Sequence, residues 1–229
     1  EAHLAAKRAL MEMVRERCGV ALAEDAIVLA FARRMTGYKR LDLLFSDIER
    51  LRRIARERPL QIVVAGKAHP RDEHGKELIS LLHRDLAALA PEVRGAFLPG
   101  YSMDVARVMV AGADVWLNTP LPPMEASGTS GMKAAFNGVP SLSVLDGWWM
   151  EGCVEGVTGW AIGRPGDDPA RHADALYEAL EQRVLPLYYG ERHAWIQVMK
   201  GAIGQTAAFF NSHRMMRRYA AEAYLRLTP

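Results

Sequence analysis

Two patterns of hydrophobic residues alternate along the chain. Short continuous apolar runs, as found in strands buried on both faces, alternate with longer segments in which apolar residues recur every three or four positions. The runs predict strands at residues 26–31, 60–65, 96–98, 115–117 and 141–144. The periodic segments predict helices at 2–18, 41–57, 74–90, 103–111, 131–137, 169–184, 194–204 and 207–225. This alternation predicts an α/β fold, a doubly wound parallel sheet of the Rossmann-like kind.

The composition narrows the class of protein. The 229 residues are enough for one α/β domain with a sizeable core, and 50% hydrophobic with 24% charged residues is ordinary for a globular protein. A net charge of +2 without a dense Lys/Arg run argues against nucleic acid, and no apolar run reaches membrane-spanning length. Cys18 and Cys153 have neither zinc-site spacing nor a disulfide framework. We expect a cytoplasmic protein with no nucleic-acid partner, no membrane partner and no metal site.

Residues 125–133, Glu-Ala-Ser-Gly-Thr-Ser-Gly-Met-Lys, are the most informative segment because they connect the fourth predicted strand to a helix. Small residues at Gly128 and Gly131 let backbone N–H groups approach an anion at a helix N-terminus, where the helix dipole favours negative charge. Thr129 and Ser130 add hydroxyl donors. The segment therefore predicts a site for a phosphorylated ligand.

Two charged residues frame this segment. Glu125 suits the hydroxyl groups of a sugar, although a carboxylate there could also cap the helix. Lys133 is surrounded in sequence by small and apolar residues, where a lowered pKa would favour a covalent bond to a carbonyl compound. The alternative is an ordinary lysine that faces solvent.

A second cluster follows the first predicted strand. Arg33, Arg34, Lys39 and Arg40 place four cations within eight residues. Two neighbouring phosphates in a poorly solvated site would repel each other unless cations lay between them. The alternative is a basic surface turn that pairs with nearby carboxylates such as Asp42. Ligands of a doubly wound sheet bind at the carboxyl ends of its strands, and both clusters fall at such ends.

Both segments resemble the α-glucan phosphorylases, the glycogen, starch and maltodextrin phosphorylase family. The family signature Glu-Ala-Ser-Gly-Thr-x-x-Met-Lys matches residues 125–133, and its basic-Arg-x-x-x-Tyr-Lys-Arg loop matches 33–40. Weaker agreement appears at 66–70, 99–101 and 2–7. Long family members have His-Glu where this chain has Thr36 and Gly37. The resemblance covers nearly the whole chain, but only the second half of such an enzyme.

The resemblance implies a set of site residues. It assigns pyridoxal 5′-phosphate, covalently attached at Lys133, to a site formed by Lys133, Arg33, Lys39, Tyr101, Gly128, Thr129 and Ser130. It assigns the substrate phosphate and the glucosyl unit to Arg34, Lys39, Glu125, Ala126, Ser127 and Gly128. The catalytic residues it implies are Arg34, Lys39 and Lys133.

The implied reaction is the reversible phosphorolysis of an α-1,4-glucan or maltooligosaccharide by inorganic phosphate, which releases α-glucose 1-phosphate. The cofactor phosphate would act as a proton relay. Residues 1–229 would form a single Rossmann-like domain, the C-terminal half of a two-domain GT-B type glycosyltransferase. Its own N-terminal domain would complete the site, so the isolated domain is predicted to be inactive. A homo-oligomer is also expected.

Two other functions remain open. A retaining sugar-nucleotide glycosyltransferase of the glycogen synthase type shares the architecture, but typically has a second glutamate eight positions after the first. Lys133 stands there instead and offers no acceptor to ribose hydroxyls. A non-catalytic carbohydrate-binding domain predicts loss of charged site residues, all of which are present. Trp148 and Trp149 could stack on sugar rings or simply pack, and Asp146 could cap a backbone N–H group.

Overall fold

The computed structural model describes residues 1–225 of the chain. Its strands are β1 (Ile27–Arg34), β2 (Leu60–Lys67), β3 (Arg94–Leu98), β4 (Val115–Asn118), β5 (Ser141–Val144) and β6 (Gly159–Ile162). Its α-helices are α1 (Ala2–Cys18), α2 (Ile48–Glu57), α3 (Glu73–Leu89), α4 (Met103–Gly112), α5 (Thr129–Phe136), α6 (Trp149–Gly152), α7 (His172–Ala179), α8 (Leu185–Gly190), α9 (Arg192–Thr206) and α10 (Ser212–Tyr219). Shorter 3₁₀ turns occupy Gly37–Lys39, Leu41–Phe45 and Pro169–Arg171, and π-helical turns occupy Leu180–Val184 and Ala220–Tyr224.

The strands form one parallel sheet in the order β3-β2-β1-β4-β5-β6. β1 pairs with β2 in register from Ile27 opposite Leu60 to Arg34 opposite Lys67, and with β4 on its other side. The chain therefore builds outwards from β1 in one direction and then from β4 in the other. The predicted doubly wound sheet is confirmed, and its switch point lies between the carboxyl ends of β1 and β4.

Helices cover both faces of the sheet. Leu29 and Phe31 of β1 pack into a layer formed with α2, α3 and α7, whereas Val28 and Ala30 pack into the opposite layer with α1, α4 and α5. Successive side chains of a strand point to opposite faces, so a strand covered on both sides must be apolar throughout. This double burial explains the continuous apolar runs.

A buried ion pair fastens α1 to the amino end of the sheet, opposite the switch point. The Lys7 side chain is 2% exposed, and its ammonium group donates to the Ala26 carbonyl at 2.7 Å and pairs with Asp114 at 2.7 Å. Asp114 also accepts from the backbone N–H group of Val28 at 2.8 Å. Because every group is partnered, the pair explains why a lysine and an aspartate can lie inside the core.

Several predicted elements differ from the structure. The single helix expected at 41–57 is a 3₁₀ turn followed by α2, because Asp47 caps α2 by accepting from the Arg50 N–H group at 2.8 Å. The helix expected at 169–184 begins as a 3₁₀ turn and runs on through α8, and 207–225 contains a separate α10 that starts only at Ser212. The edge strand β6 was missed. By contrast, the helix at 2–18 and the strand at 141–144 have the predicted bounds.

Candidate functional site

The first part of the site is the end of β1. Arg33 turns inward between β1 and β4 and is only 7% exposed, and its Nη2 donates to the Leu117 carbonyl at 2.8 Å. Its Nε and Nη1 are buried and have no hydrogen-bond partner among residues 1–225. Arg34, the next residue, is exposed. Two neighbouring arginines thus have opposite environments, one inside the switch point and one at its surface.

Burial leaves the Arg33 guanidinium short of partners. It lowers the Arg33 pKa from the ordinary arginine value to about 10, although Glu125, Tyr38 and Tyr101 lie close enough to raise it. Tyr101, which follows β3, is half-buried, and burial raises its own pKa. A buried cation with unused donors is costly unless an anion joins it. The end of β1 therefore has the properties of an anion site.

The second part of the site is an ion pair across the switch point. The Lys39 ammonium group pairs with the Glu125 carboxylate, and their side chains are 12% and 7% exposed. Lys39 also lies over the Tyr38 ring, 4.8 Å from its centroid. The structure thus brings together two residues that were predicted for one site but are separated by 86 positions in sequence.

Arg40 joins the loop after β1 to the loop after β4. Its guanidinium donates to the carbonyls of Thr119, Pro120 and Pro169 at 3.1, 2.7 and 3.2 Å, and to His172 Nδ1 at 2.7 Å. Burial, followed by the Arg40 charge, lowers the His172 pKa, which favours the neutral ring that can accept this bond. Arg40 was predicted to belong to the group of phosphate-binding cations. Its side chain is instead engaged with protein acceptors.

Arg40 also has a left-handed backbone, with φ of 43°. A residue other than glycine adopts this conformation only when its surroundings enforce it. The hydroxyl group of Thr119 donates to the backbone carbonyls of Lys39 and Arg40 at 3.0 and 2.9 Å. These bonds explain how the loop that carries Lys39 is held in one shape.

The third part of the site is the start of α5. Gly128 precedes the helix with φ of 88°, a conformation that favours glycine. Gly131, in the first turn, packs against the Trp148 indole, and a methyl group added there would lie 2.9 Å from the indole Nε1. The glycines of the motif thus serve packing as well as the close approach of backbone N–H groups that the sequence predicts. Ala126 is exposed and Ser127 partly buried just before this start.

Lys133 does not have the expected apolar surroundings. The helix turns Gly131, Ala134 and Ala135 into the core, and Lys133 falls on the outward face, where it is exposed. Thr129, four residues earlier, is exposed on the same face, as the helical period requires. The expectation of an apolar site within this domain was therefore wrong, because it was drawn from neighbours in sequence that point the other way.

A groove of about 800 Å³ lies along this outward face. Ser127, Thr129 and Lys133 line one side, and residues of α10 and the preceding turn, including Phe209 and Arg214, line the other. Arg33 and Lys39 are not part of this groove in the described residues 1–225. The predicted site residues therefore fall into a buried group at the switch point and an exposed group along α5.

Ser130 has a partner that the sequence did not indicate. Its hydroxyl group accepts from Trp116 Nε1 at 3.3 Å, although the hydroxyl proton can still donate elsewhere. Trp148 and Trp149 are 4% and 0% exposed, so they pack in the core rather than offer faces for stacking on sugars. Trp149 also donates to the Trp160 carbonyl. The packing interpretation of the two tryptophans is confirmed.

Asp146 contacts the site in a way that was not predicted from the sequence. It does cap backbone N–H groups, as considered above, but one of them belongs to Glu125, at 2.9 Å from Asp146 Oδ2. The Asp-Gly pair after β5 signals a turn. Nothing in the sequence indicates which distant segment that turn holds.

Other polar residues near the switch point add little. Lys67 is exposed at the end of β2, and His69 Nδ1 accepts from the Arg71 N–H group.

No group of three or more potential metal ligands occurs in the part of the chain that the structure describes. Among helices within residues 1–225, none combines the length and the apolar character needed to cross a membrane.

The fold and site define a Rossmann-like α/β domain of the GT-B glycosyltransferase type. The domain has buried positive charge at its switch point and a glycine-rich helix start beside it. A family profile described as "Carbohydrate phosphorylase" matches residues 1–155. The chain belongs to this family, and the resemblance stated from the two motifs is confirmed.

Similar proteins carry related names. A maltodextrin phosphorylase of Thermococcus litoralis is 44% identical over 246 residues, covering 98% of this chain and 29% of that protein. A glycogen phosphorylase of Aquifex aeolicus is 44% identical over 256 residues, covering 99% of this chain and 37% of that protein. A glycogen phosphorylase of Mycobacterium tuberculosis is 41% identical over 215 residues. The chain spans less than two-fifths of the length of the first two.

Proposed function

We propose that residues 1–229, of which the last four lie outside the described part, form the cofactor- and phosphate-binding domain of an α-glucan phosphorylase. The observation that carries this proposal is the buried Arg33 guanidinium, whose Nε and Nη1 lack partners within residues 1–225. It lies at the switch point where ligands of doubly wound sheets bind. Lys39 and Glu125 pair at the same switch point, and the start of α5 at Gly128 follows Glu125 by three residues. An anionic ligand would supply the acceptors that Arg33 lacks.

The residues present fit pyridoxal 5′-phosphate. Arg33 and the start of α5 at Gly128 offer donors to a phosphate group, and Lys133 offers an exposed amine one helical turn beyond Thr129. Lys39, Tyr101 and Ser130 would complete the set of residues that hold it. When bound, the cofactor supplies a phosphate group that can hold a proton and pass it on. Because Lys133 is exposed in this domain, the rest of the enzyme would have to cover the attached cofactor.

The substrates would share the buried side of the site. Arg34 and Lys39 would bind inorganic phosphate, because they add positive charge beside the Arg33 position. Glu125 would accept from glucosyl hydroxyl groups, while the backbone of Ala126, Ser127 and Gly128 donates to others. Since Lys39 and Glu125 pair with each other in the described chain, each must turn part of its bonding capacity towards ligands when substrates bind.

The reaction proposed is the reversible phosphorolysis of α-1,4-glucan or maltooligosaccharide ends to α-glucose 1-phosphate. The names of the relatives, maltodextrin and glycogen phosphorylase, support this substrate class. Positive charge from Arg34 and Lys39 would hold the phosphate dianion beside the sugar carbon, where it stabilises the positive charge that develops as the glycosidic bond breaks.

The rest of the enzyme is also part of the proposal. Because the relatives are much longer than this chain, we propose that an N-terminal domain completes the glucan site and that residues 1–229 alone are inactive. Turnover by the isolated segment in a phosphorolysis assay would overturn that prediction. A cytoplasmic location and a homo-oligomeric assembly stay predictions.

The decisive experiment is borohydride reduction of the full-length enzyme, followed by peptide mass analysis. We expect a phosphopyridoxyl group on Lys133, lost in Lys133→Arg and retained in Lys67→Arg, which changes another exposed lysine at the same edge of the sheet. An active enzyme with unmodified Lys133 and no cofactor absorbance would overturn the proposed function. A sugar-nucleotide transferase would instead transfer the sugar from a nucleotide donor in an activity assay and would carry no phosphopyridoxyl group on Lys133.

A further inference from the structure

The turn after β5 is in direct contact with the segment that leads into α5. Asp146 is 7% exposed, and its two carboxylate oxygens accept from two backbone N–H groups. Oδ2 accepts from Glu125 at 2.9 Å, and Oδ1 accepts from Gly147 at 2.9 Å. The carboxylate is thus satisfied by main-chain donors, one of them 21 residues away in the chain.

Neighbours of Asp146 reinforce the same contact. The backbone N–H group of Trp148 donates to the Ser127 carbonyl at 2.8 Å. Gly147 has φ of 55°, and a methyl group there would lie 2.6 Å from the Ser127 oxygen and 3.0 Å from Glu125 Cγ. Only a residue without a side chain allows so close an approach. Residues 146–148, the DGW turn, therefore hold residues 125–127 by two hydrogen bonds and by close packing.

The segment that is held has no regular structure of its own. Residues 125–128 belong to neither a helix nor a strand, so no ladder of backbone hydrogen bonds fixes their positions. Lys39 binds the Glu125 carboxylate from the other side. The main chain of Glu125 is therefore positioned by Asp146, whereas its side chain is positioned by Lys39.

We propose that Asp146 is a positioning residue that fixes the backbone of Glu125 and, through it, the glucosyl-binding segment 125–128. The proposal rests on the proposed function for its catalytic consequence, but not for the contact itself. Asp146 does not need to touch a substrate. Its loss lets Glu125 move while leaving Arg33 and Lys133, on other elements, in place.

The test compares Asp146→Asn with Asp47→Asn in the full-length enzyme. Asparagine at 146 keeps one acceptor oxygen but replaces the other with an N–H₂ group, which cannot accept. Asp47 is a matched control because it also accepts from a backbone N–H group, that of Arg50 at 2.8 Å, but caps α2 away from this segment. Asp146→Ala, which loses both bonds, extends the series.

Three measurements separate positioning from general stability. In Asp146→Asn we expect faster hydrogen exchange at the Glu125 amide, with unchanged exchange in β1 and an unchanged phosphopyridoxyl adduct on Lys133. We expect kcat/KM for maltooligosaccharide to fall about 10- to 100-fold, because displacement of a binding group by about 1 Å has effects of that size. The KM for inorganic phosphate should change by a smaller factor, because Arg34 and Lys39 belong to the loop after β1, although Lys39 contacts the Glu125 carboxylate.

Each outcome decides the proposal. Wild-type exchange at Glu125 together with wild-type kinetics in Asp146→Ala overturns it, because this variant has no acceptor for the Glu125 N–H group. Faster exchange spread equally over β1 and β5 also overturns it, since that indicates a merely structural role. Failure of the wild-type enzyme to phosphorolyse glucan overturns the proposed function instead. In that case the exchange rate at Glu125 still decides whether Asp146 holds this segment. If Asp146→Ala does not fold, Asp146→Leu, which has a similar volume and no acceptor, gives the answer.

Discussion

Replacement of Arg33 by methionine separates the stability of the ligand-free domain from its ability to bind an anion. Methionine has a similar length and no charge, so it can fill the same buried space. Burial lowers the Arg33 pKa from the ordinary arginine value to about 10. A change of that size corresponds to about 3 kcal/mol of unfavourable free energy for keeping the guanidinium charged inside the protein.

The structure sets the opposing contribution. Methionine loses the hydrogen bond to the Leu117 carbonyl, which contributes about 1.5 kcal/mol for a charged donor. We therefore expect Arg33→Met to stabilise the cofactor-free domain by about 1 to 2 kcal/mol. The same change removes two donors that an anion would use. Stability without a ligand should rise while phosphate binding weakens.

Native-state hydrogen exchange of β1 amides is the appropriate assay, since it reports the opening free energy of this domain inside the full-length protein. In the cofactor-free state, Arg33→Met should slow exchange about 5- to 30-fold. Arg34→Met, which changes the exposed neighbour, should alter the free energy by less than about 0.5 kcal/mol. Saturating inorganic phosphate should then stabilise the wild type by about 2.7 kcal/mol at 100 times its Kd, and Arg33→Met by much less.

The opposite result would show that the buried Arg33 charge does not destabilise the domain. If Arg33→Met exchanges about ten times faster than the wild type without cofactor or phosphate, while Arg34→Met does not, the guanidinium stabilises the empty domain. Its free donors would then not be a cost that a ligand relieves. An anion would then not be needed at the switch point to stabilise Arg33.

Three further results are expected. Gly131→Ala should destabilise the protein by about 1 to 3 kcal/mol in denaturant unfolding, because its methyl group would lie 2.9 Å from the Trp148 indole. Gly204→Ala, with nothing within 4 Å, should instead raise the free energy of unfolding by up to about 1 kcal/mol. Equal effects of the two changes would contradict this packing. Lys39→Met and Glu125→Gln should show a coupling free energy of about 1 to 3 kcal/mol in a double-mutant cycle, and additivity within about 0.5 kcal/mol would show that the pair is not coupled. Burial lowers the His172 pKa below its ordinary value of 6.5, so the unfolded chain binds the proton more tightly than the folded chain does. The contribution of neutral His172 to stability is therefore complete above about pH 6.5 and declines as the pH falls below it. The stability difference between the wild type and His172→Asn should therefore shrink between about pH 7 and pH 5, and a constant difference would exclude this titration.

The elements that were predicted well are those whose signal is local. The helix at 2–18 and the strand at 141–144 follow from a period or a run within the segment itself. β6 was missed because Gly-Trp-Ala-Ile is short and begins with glycine, so its pairing with β5 supplies what its sequence lacks. The break before α2 depends on one capping side chain, that of Asp47, which overrides a continuous helical period.

The residues of the candidate site also divide into features that a local motif indicates and features that depend on distant contacts. The motifs located Lys39, Glu125 and Lys133 at the correct edge of the sheet, because strand ends of a parallel sheet meet there. They did not indicate that Lys39 would pair with Glu125, that Arg33 would be buried without enough partners, or that Arg40 would be engaged by carbonyls. Those properties arise from contacts between distant segments, which no local pattern encodes. The exposure of Lys133 depends on which face of α5 packs inward, and residues adjacent in sequence do not specify it.

The burial of the tryptophans gives the protein an optical reporter of its own site. All five tryptophans of the chain are buried, and two of them contact the first turn of α5, Trp116 through Ser130 and Trp148 through Gly131. Their fluorescence should therefore respond when a ligand orders or displaces this turn, without any added dye. A chromophore attached at Lys133 that absorbs at the emission wavelength of indole would quench them by energy transfer. Occupancy of the site could then be followed in real time in the unmodified protein.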